Sequence, residues 1–556
     1  MSITLSQAAA TAAKFINQTN RHIFLTGKAG TGKTTFLKHI IGNTHKKAAI
    51  VAPTGIAAIN AGGSTIHSMF QLPFGSFVPV ANYRNNNLSI QLNDKTSLFK
   101  NHHLSSIKKS LLREIELLII DEVSMLRADL LDAMDAKMRQ ARGRNNLSFG
   151  GVQVLFIGDM FQLPPVIKDE EWKVLSEFYK SPYFFDAQVL QTNPPIYIEL
   201  DKIFRQSNQV FIDLLNNLRN NTVTSSDSKL LNSYYKPGFK QQNGDNYINL
   251  TTHNYKANTI NKSFLDDLKA PSFNYYAEVT GDFPENLFPL EAKLELKIGA
   301  QIMFIKNDIS GKQLYFNGKI AKVSNLSQKE ITVQFEDGTY HTLEKYTWEN
   351  KRFKVNSTTN EIEEEVLGEF KQYPIKLAWA ITVHKSQGLT FENAIIDVAD
   401  AFAPGQVYVE LSRLKDLNGL VLTSPINFES LKGDLLISSF SEKSIQQQSL
   451  EVQLSKETIS YLNYYLNVCY DFSLLSNSFK KHAADLLETK KRKPKASLID
   501  WAKNHSDNLA ELSQVALKFS GQLNSIIQKQ ESDWKALLYK RVVDAQNYFT
   551  PLLKKV

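Results

Sequence analysis

Apolar runs and helical stretches alternate along most of the chain. Residues 5–17 have the spacing of a short helix, and a compact apolar run at 22–26 follows them. Similar apolar runs, separated by helical stretches, lie at 48–52, 117–120, 152–157, 197–200, 248–252, 394–398 and 420–423. Short strands that are apolar on both faces are typical of parallel sheets covered by helices. The pattern therefore predicts an α/β fold with parallel strands.

Two segments interrupt this alternation. Residues 73–106 are rich in Asn, Ser and Gln and have little periodicity, which predicts an inserted loop or hairpin. Residues 312–370 alternate apolar and polar positions on either side of Asp337–Gly338, a dipeptide typical of hairpin turns. The second segment is predicted to be a small antiparallel β domain inserted into a second α/β unit.

Strand patterns end near residue 433, and the rest of the chain is predicted to be helical. Apolar residues recur there at spacings of three and four, on one helix face: Leu509, Leu512, Ala516, Phe519, Leu523 and Ile526. The stretch is short for a coiled coil, so a helical-bundle core is favoured and a coiled coil is the alternative. The basic cluster at 490–495 is typical of a solvated linker, with a phosphate contact as the alternative.

Composition narrows the class of protein. A chain of 556 residues, 42% hydrophobic and 22% charged, is long enough for several domains and excludes a mainly disordered or fibrous protein. The net charge of +8 is a weak indication of a polyanionic partner. Cys469 is the only cysteine, which excludes an internal disulfide and a cysteine-based metal site. With no secretory start and no long apolar run, we expect a cytoplasmic protein, not associated with a membrane and drawn to the nucleoid by its partner.

A glycine-rich segment between a predicted strand and a predicted helix has the spacing of a phosphate-binding loop. Gly27 to Thr34 fits G-x-x-x-x-G-K-[ST]. Glycines let successive backbone N–H groups turn toward one anion, and the helix N-terminus adds partial positive charge. Lys33 would reach the β- and γ-phosphates and the Thr34 hydroxyl would bind Mg²⁺. The alternative is a glycine-rich structural turn.

Acidic and amide side chains follow two of the predicted strands. Asp121 and Glu122 come directly after the apolar run 117–120, where Asp121 would hold Mg²⁺ and Glu122 would activate water. Gln162 follows the run 152–157 and would sense the γ-phosphate. Taken alone, the acidic pair would be a surface turn, whereas for the Gln162 segment a plain turn is the alternative.

Further motifs follow in order along the chain. They are GKAGTGKTT at 27–35, APTGIAAINAGGSTIHSMF at 52–70, IFRQ at 203–206, TTHN at 251–254, IGAQIMFIKND at 298–308, WAITVHKSQGLTFENAIID at 379–397 and QVYVELSRLK at 406–415. The most specific is EVSMLRADLLDAMDAKMRQARG at 122–143 with FGGVQVLFIGDMFQLPPV at 149–166. From about residue 5 to 425 the sequence resembles the Pif family (petite integration frequency) of superfamily-one DNA helicases, with kinship to RecD-like helicases.

This resemblance implies two RecA-like domains with ATP and Mg²⁺ in the cleft between them. Domain one would span 1–195, with the insertion at about 73–106, and domain two 196–432, with an antiparallel β-barrel subdomain at about 312–370. Residues 433–556 lie outside the resemblance and would form a C-terminal helical accessory region.

The resemblance also implies the site residues. The catalytic set would be Lys33, Asp121, Glu122, Gln162, Arg205 and Arg413, with Thr34 and Asp121 as magnesium ligands. The nucleotide contacts would be Gln7, Gly27, Gly30, Thr31, Gly32, Lys33, Thr34, Thr35, Gln162 and Gly388. The DNA contacts would be Pro53, Thr54, Thr65, His67, Thr252, Asn254, His384 and Lys385. Without the resemblance, either arginine would be assigned to a surface salt bridge and either histidine to a core or surface position.

Two positions depart from the family pattern. The adenine-reading motif is reduced to Leu5–Ser6–Gln7, without its usual acidic neighbour. Glu410 stands where the family usually has a small residue, so the contacts next to Arg413 are expected to be retuned.

The implied function is an ATP-dependent DNA helicase that moves 5′ to 3′ on single-stranded DNA and unwinds duplexes or other DNA structures in repair, replication or telomere-type maintenance. The insertion at 73–106 would meet the duplex junction as a pin, and the β domain would fold over the strand. Single-stranded DNA and DNA junctions would be its partners, with a protein partner for the C-terminal helices and a monomeric state in solution. One alternative is a DNA-stimulated ATPase that displaces nucleoprotein without separating strands. The other is a scaffold with a vestigial nucleotide fold, against which the intact Lys33, Asp121, Glu122 and Arg413 argue.

Overall fold

The computed structural model describes residues 5–83, 90–242, 245–308, 314–356, 359, 362–398, 405–426, 434–445, 449–488 and 496–555. The chain divides into two units, one made of 1–13 with 21–447 and the other of 14–20 with 448–556. The basic cluster predicted as a linker, 490–495, lies outside the described residues.

The strands are numbered in chain order. They are β1 (Ile23–Gly27), β2 (Ala48–Ala52), β3 (Ser64–Thr65), β4 (Ser76–Val78), β5 (Leu92–Asp94), β6 (Leu117–Ile120), β7 (Gln153–Ile157), β8 (Ile196–Leu200), β9 (Ile248–Thr251), β10 (Ser272–Tyr276), β11 (Glu278–Gly281), β12 (Lys293–Lys297), β13 (Gln301–Phe304), β14 (Ile320–Leu326), β15 (Ile331–Gln334), β16 (Tyr340–Thr342), β17 (Tyr346–Val355), β18 (Ile362–Gln372), β19 (Ile375–Leu377), β20 (Ala380–Thr382), β21 (Ala394–Ile396) and β22 (Leu420–Leu422).

The α-helices are numbered in the same way. They are α1 (Gln7–Gln18), α2 (Lys33–Asn43), α3 (Gly55–Ala61), α4 (Ile66–Phe70), α5 (Lys95–Lys100), α6 (Ser106–Glu114), α7 (Ala128–Arg142), α8 (Asp169–Leu175), α9 (Gln188–Thr192), α10 (Gln209–Arg219), α11 (Ser225–Asn232), α12 (Asn254–Asp267), α13 (Gln406–Leu411), α14 (Leu435–Ile445), α15 (Leu450–Cys469), α16 (Ser473–Glu488), α17 (Ala496–Lys529) and α18 (Trp534–Leu553).

The first parallel sheet has the order β3-β2-β6-β7-β1-β8, and its neighbouring strands all run in the same direction. All of its strands except β3 come from predicted apolar runs. The residues of β6 are fully buried, as a sheet covered on both faces requires. β8 pairs with β1 through Ile196 and Ile23, so the predicted domain boundary at 195/196 would cut this strand from its own sheet. The first domain therefore extends past residue 200.

The second parallel sheet has the order β20-β9-β21-β22. Its pairs are parallel, and its strands enclose a core with α10 and α13. The predicted strands at 248–252, 394–398 and 420–423 are confirmed, each one or two residues shorter than expected. The two parallel sheets with their helices confirm the predicted α/β class.

The insertion after residue 73 is not a hairpin. β4 and β5 pair in parallel, with Ser76 opposite Leu92, whereas the two strands of a hairpin pair antiparallel. α5 follows directly, and the Asp94 side chain caps it by accepting from the Ser97 N–H at 2.6 Å. The segment is a small α/β element rather than a loop or a hairpin.

The inserted β region is antiparallel, as predicted, and larger than predicted. It begins at β10 and ends at β19, so it spans 272–377 instead of 312–370. Its sheets have the orders β10-β12, β11-β18-β17 and β16-β15-β14-β13-β19, and the last order ends at β16 and β19 rather than closing on itself. The predicted turn joins β15 to β16, where Gly338 has a φ of 81°. We refer to 272–377 as the β subdomain.

The second unit is helical and has its own core. α15, α17 and α18 enclose Leu466, Ala516, Phe519, Leu523 and Phe549. The predicted apolar face at 509–526 lies within α17, and the helical-bundle interpretation is confirmed. α14 belongs instead to the first unit, because Phe440 stacks on Phe185 at 4.2 Å, so the accessory region begins later than residue 433. None of the described helices is both long and apolar enough to cross a bilayer.

Candidate active site

A cavity of about 910 Å³ opens where the two parallel sheets of the first unit meet. It is lined by eleven of the residues predicted for ATP binding and hydrolysis, namely Gly30, Gly32, Lys33, Thr34, Thr35, Asp121, Glu122, Gln162, Arg205, Gly388 and Arg413. They come from distant parts of the chain, and the fold brings them to one place.

The glycine-rich loop turns its backbone toward this cavity. Gly30 and Gly32 have φ values of 82° and 85°, a left-handed conformation that favours glycine, and α2 begins at Lys33. The Lys33 ammonium donates to the carbonyls of Gly27 at 2.6 Å and Lys28 at 3.1 Å. Burial lowers the pKa of Lys33, and nearby carboxylates oppose that shift. Phosphate oxygens would offer this ammonium a stronger partner than carbonyls do.

Three of the predicted nucleotide contacts lie outside the cavity lining. Gly27 ends β1, and Thr31 is buried with its hydroxyl donating to the Lys28 carbonyl at 2.9 Å. Both residues thus belong to the glycine-rich loop without lining the cavity. Gln7 is exposed at the first position of α1, so an adenine contact by this side chain stays a prediction.

The two acids after β6 share a buried corner of the cavity. Burial and the neighbouring Glu122 charge raise the pKa of Asp121 to about 7. Burial also raises the pKa of Glu122, against the opposing charges of Lys33 and Arg413. Two buried carboxylates with raised pKa values are suited to a cation. Thr34 lines the same cavity, so hydroxyl and carboxylate oxygens of the kind that Mg²⁺ prefers are available.

Both predicted arginines reach the cavity from the second domain. Arg205 donates to the Ser412 carbonyl at 3.0 Å, and burial with the neighbouring Arg413 charge lowers its pKa to about 10. Arg413 donates to the Gln162 side chain at 3.4 Å and to the Val409 carbonyl at 3.1 Å. An arginine on the second domain thus contacts the predicted γ-phosphate sensor on the first.

A third buried carboxylate, Asp159, lies behind the loop and was not assigned from the sequence. It accepts from Arg219 at 3.3 Å and from the Tyr408 hydroxyl at 3.2 Å, both on the second domain. Burial opposes ionisation, but the charges of Arg219 and Lys33 outweigh it and hold the pKa of Asp159 below its usual value. Tyr408 also accepts from the Ala29 N–H at 3.0 Å. The dipeptide Gly158–Asp159 after β7 was the available sequence signal, whereas Arg219 lies in no motif.

Two other side chains at the cavity were missed. The Phe204 ring is 64% exposed, lines the cavity and would lie 3.8 Å from a Cβ placed on Gly32. The side-chain amide nitrogen of Gln387 is buried in the lining and has no hydrogen-bond acceptor within the described part of the chain. Both lie in motifs quoted for the family resemblance, next to residues that were assigned.

The predicted DNA contacts of the first domain lie at the ends of two strands on one side of its sheet. Pro53 and Thr54 follow β2 and Thr65 ends β3, and the two strands are paired there. The threonine hydroxyls cap α3 and α4 by accepting backbone N–H groups, which leaves each hydroxyl proton available to a ligand. His67 stacks on Phe74 at 5.5 Å, a ring that the sequence interpretation had not considered.

The predicted DNA contacts of the second domain follow two neighbouring strands on one side of the second sheet. Thr252 and Asn254 follow β9, and Lys385 follows β20, the neighbouring strand. Asn254 and Lys385 line a further cavity of about 900 Å³ beside α12, and Lys385 lines the first cavity too. The backbone of His384 lies in a short 3-10 turn, and its side chain lies outside the described parts of the structure.

Comparison with known proteins agrees with this geometry. Residues 4–229 match the model of the PIF1-like helicase family, and residues 453–556 match that of a DNA helicase middle domain. The chain is 32% identical over 411 residues to the ATP-dependent DNA helicase PIF1 of Danio rerio, covering 72% of this chain and 58% of that protein. It is 30% identical over 438 residues to the ATP-dependent DNA helicase Pif1 of Campylobacter jejuni, covering 73% and 90%. The chain thus spans little more than half the length of the fish relative and most of the bacterial one.

Solved structures give the same result. Bacteroides sp Pif1 in complex with ADP-AlF4 is 40% identical, with a TM-score of 0.72 and coverage of 80% of this chain and 97% of that one. Bacteroides Pif1 bound to ssDNA is also 40% identical, with coverage of 80% and 97% and a TM-score of 0.55. On the motifs, the cavity and these similarities, the chain belongs to the PIF1-like helicase family.

Proposed function

We propose that this chain is an ATP-dependent DNA helicase. The observation that carries the proposal is the single cavity in which the Lys33 loop and the acids after β6 face Arg205 and Arg413 of the other domain. A cleft whose two walls belong to different domains can couple hydrolysis to a change in domain spacing, because the γ-phosphate is present only before hydrolysis.

In this proposal Lys33 and the backbone of the glycine-rich loop bind the β- and γ-phosphates of ATP. Thr34 and Asp121 would hold Mg²⁺, which when bound neutralises phosphate charge. Glu122 takes the proton of the attacking water, and burial raises the pKa of its carboxyl group, which makes it a stronger base. Arg205 and Arg413 stabilise the charge that develops on the γ-phosphate, as arginine fingers do.

We assign the base of the nucleotide to the Phe204 ring. Its large exposed face lies beside the start of α2, next to the residues that bind phosphate. Stacking on an aromatic face is tolerant of base identity, so adenine selectivity must come from another contact, for which Gln7 stays a prediction.

Single-stranded DNA would lie along the two sheet edges that carry the predicted contacts. Short polar side chains and helix termini suit phosphate and sugar, so binding would be insensitive to sequence and would weaken with salt. The solved relatives include Bacteroides Pif1 bound to ssDNA, which supports this class of partner. Movement from 5′ to 3′, work at repair, replication or telomere-type structures, location at the nucleoid and a monomeric state in solution belong to the same proposal.

The α/β element inserted at 73–106 is proposed to act as the pin at the duplex junction. Polar groups of α7 and the residue before it fix it to the first domain. Arg127 donates to the Ser76 hydroxyl at 2.6 Å, and Asp129 accepts from the Phe77 N–H at 2.9 Å. A buried ion pair between Arg127 and Asp129 holds both groups in place. An anchor of this kind would keep a pin rigid during translocation.

A strand-release assay tests the proposal. The substrates are labelled duplexes with a 5′ or a 3′ single-stranded tail, supplied with ATP and Mg²⁺. We expect the wild type to release the strand from the 5′-tailed duplex, Lys33→Ala to be inactive, and Lys173→Ala, which removes an exposed lysine of the same unit, to match the wild type. DNA-stimulated ATP hydrolysis without strand release would favour nucleoprotein displacement instead. Absence of DNA-stimulated hydrolysis in the wild type would contradict both.

A further inference from the structure

One wall of the nucleotide cavity comes from the β subdomain, to which no role at the nucleotide has been given so far. Lys306, Asn307, Phe316 and Asn317 lie on the two chain segments that follow β13 and precede β14, and all four line the cavity. Facing them are Lys33, Thr34, Thr35 and Lys38 of α2. The β subdomain therefore supplies part of the cavity lining, and it lies close to the segment after Arg413, because the Lys415 ammonium is 5.1 Å from the centre of the Phe316 ring.

Lys306 carries a charge that no described carboxylate neutralises. Its ammonium lies 5.3 Å from the centre of the Tyr346 ring, and it forms no ion pair among the described residues. Lys38 lines the same cavity, and its charge, together with burial, lowers the pKa of Lys306. Two like charges that face one space are stabilised when an anion occupies it.

Lys38 is placed to share that anion. It lies one helical turn after Thr34 and Thr35, which are among the predicted nucleotide contacts, so the three residues share one face of α2. Its side chain is exposed and lines the cavity. The positive charge of Lys38 therefore adds to the attraction that the start of α2 exerts on an anion in the cavity.

A second observation on the same wall points to a ligand. The side-chain oxygen of Asn317 is buried, lines the cavity and accepts no hydrogen bond from any described residue. The segment around it is held firmly, because the Asn317 N–H donates to Asn307 at 2.8 Å and a Cβ on Gly318 would lie 3.0 Å from the Thr390 carbonyl. A buried acceptor without a donor costs stability, and a hydroxyl or amino group of a ligand would satisfy it.

The geometry points to Lys306 and Asn317 of the β subdomain as direct contacts to the bound nucleoside triphosphate: Lys306, together with Lys38, contacts phosphate oxygens, and Asn317 accepts from a hydroxyl or amino group of the nucleoside. The β subdomain is thus part of the nucleotide site in this arrangement of the chain. This inference rests on the proposed nucleotide site and adds a third wall to it.

The test is a titration of the full chain with a fluorescent ADP analogue in excess Mg²⁺ and without DNA. Lys306→Met keeps the apolar stem and removes the charge, Lys306→Arg keeps the charge, and Asn317→Ala removes the acceptor. Lys322→Met is the matched control, since Lys322 is an exposed lysine of the same subdomain and does not line the cavity. Lys33→Ala reports on the nucleotide site itself.

Because the Lys306 contact is charge-assisted, we expect Lys306→Met to weaken nucleotide binding about five- to tenfold. Asn317→Ala, which removes a neutral acceptor, should weaken it about threefold. Lys306→Arg and Lys322→Met should remain close to the wild type. Wild-type affinity in Lys306→Met, with binding lost in Lys33→Ala, would overturn the inference and leave the proposed function intact. Equal losses in Lys306→Met, Lys306→Arg and Lys322→Met would also overturn it, because they would reflect folding rather than charge. No binding by the wild type would refute the proposed function itself.

Discussion

The Tyr408 hydroxyl of the second domain accepts a hydrogen bond from the backbone N–H of Ala29, in the glycine-rich loop of the first domain, at 3.0 Å. The same hydroxyl donates to Asp159 at 3.2 Å. One oxygen therefore joins the loop that would bind phosphate to the helix that precedes Arg413. The two hydrogen bonds therefore connect the two domains beside the proposed nucleotide site.

Tyr408→Phe removes both hydrogen bonds and keeps the buried ring. At about 1 kcal/mol for each bond, we expect the nucleotide to bind up to roughly thirtyfold more weakly and DNA-stimulated turnover to fall. Titration with a fluorescent nucleotide and steady-state ATP hydrolysis measure the two effects separately. Tyr276→Phe, at an exposed tyrosine of the same unit, is the control. Unchanged affinity and turnover would show that the hydroxyl does not position the loop.

The ion pair between Arg219 and Asp159 should contribute strongly to stability because it is buried, with side chains 6% and 0% exposed. Arg219→Met removes the ion-pair partner of a buried carboxylate and leaves it only the Tyr408 hydroxyl and the more distant Lys33 charge, and breaking a buried pair costs about 3–5 kcal/mol of unfolding free energy. The double variant Arg219→Met/Asp159→Asn removes that charge as well and should recover part of the loss. Thermal or urea unfolding of the full chain measures both.

The control for that pair is an exposed one. Lys351 pairs with Glu364 at 2.7 Å, with side chains 39% and 48% exposed. Lys351→Ala should change the unfolding free energy by about 0–1 kcal/mol. Equal effects of Lys351→Ala and Arg219→Met, or no recovery in the double variant, would contradict the assignment of Asp159 as a buried charge held by Arg219.

Asp129→Ala tests the anchor of the inserted α/β element. The change frees the Phe77 N–H and leaves Arg127 without its closest carboxylate, so β4 loses a fixed position on the first domain. We expect the rate of strand release to fall at least several-fold more than DNA-stimulated ATP hydrolysis, since the nucleotide cavity does not include this contact. Glu177→Ala, at an exposed position of the same unit, should affect neither. Parallel losses of both activities would argue against a pin held by α7.

The parallel sheets and the nucleotide site were predictable because their signals are local. Every strand of the first sheet except the short, polar β3 is an apolar run that can be recognised without its partner, and the spacing from Gly27 to Thr34 contains its own chemistry. Asp159, Arg219 and Tyr408 are different, since the contacts between them span 60 and 249 residues and no spacing encodes them. The early strands of the β subdomain were missed for a related reason. β10 and β12 bury only one face each and are stabilised by pairing with one another.

Glu410 gives a pH-dependent prediction at the position that departs from the family pattern. It is buried in α13, Gln406 donates to one of its oxygens at 3.1 Å, and the other oxygen has no partner in the described structure. Burial, together with the nearby Asp397 charge, raises the pKa of Glu410 from 4.5 to about 8. Between these values the unfolded chain loses the proton while the folded chain keeps it, so this group destabilises the fold increasingly as the pH rises. Below pH 4.5 both states are protonated and the effect disappears.

Glu410→Gln replaces the carboxyl by a neutral group of the same shape. The variant should therefore melt at a higher temperature than the wild type at pH 8, with a difference that shrinks steadily toward pH 5. Glu177→Gln, at an exposed site, should follow the wild type at each pH. Because α13 leads directly to Arg413, ATP hydrolysis measured over the same range shows whether the buried proton affects only stability or also the arginine. A melting difference that stays constant with pH, or grows toward acid, would show that Glu410 is ionised in the folded protein.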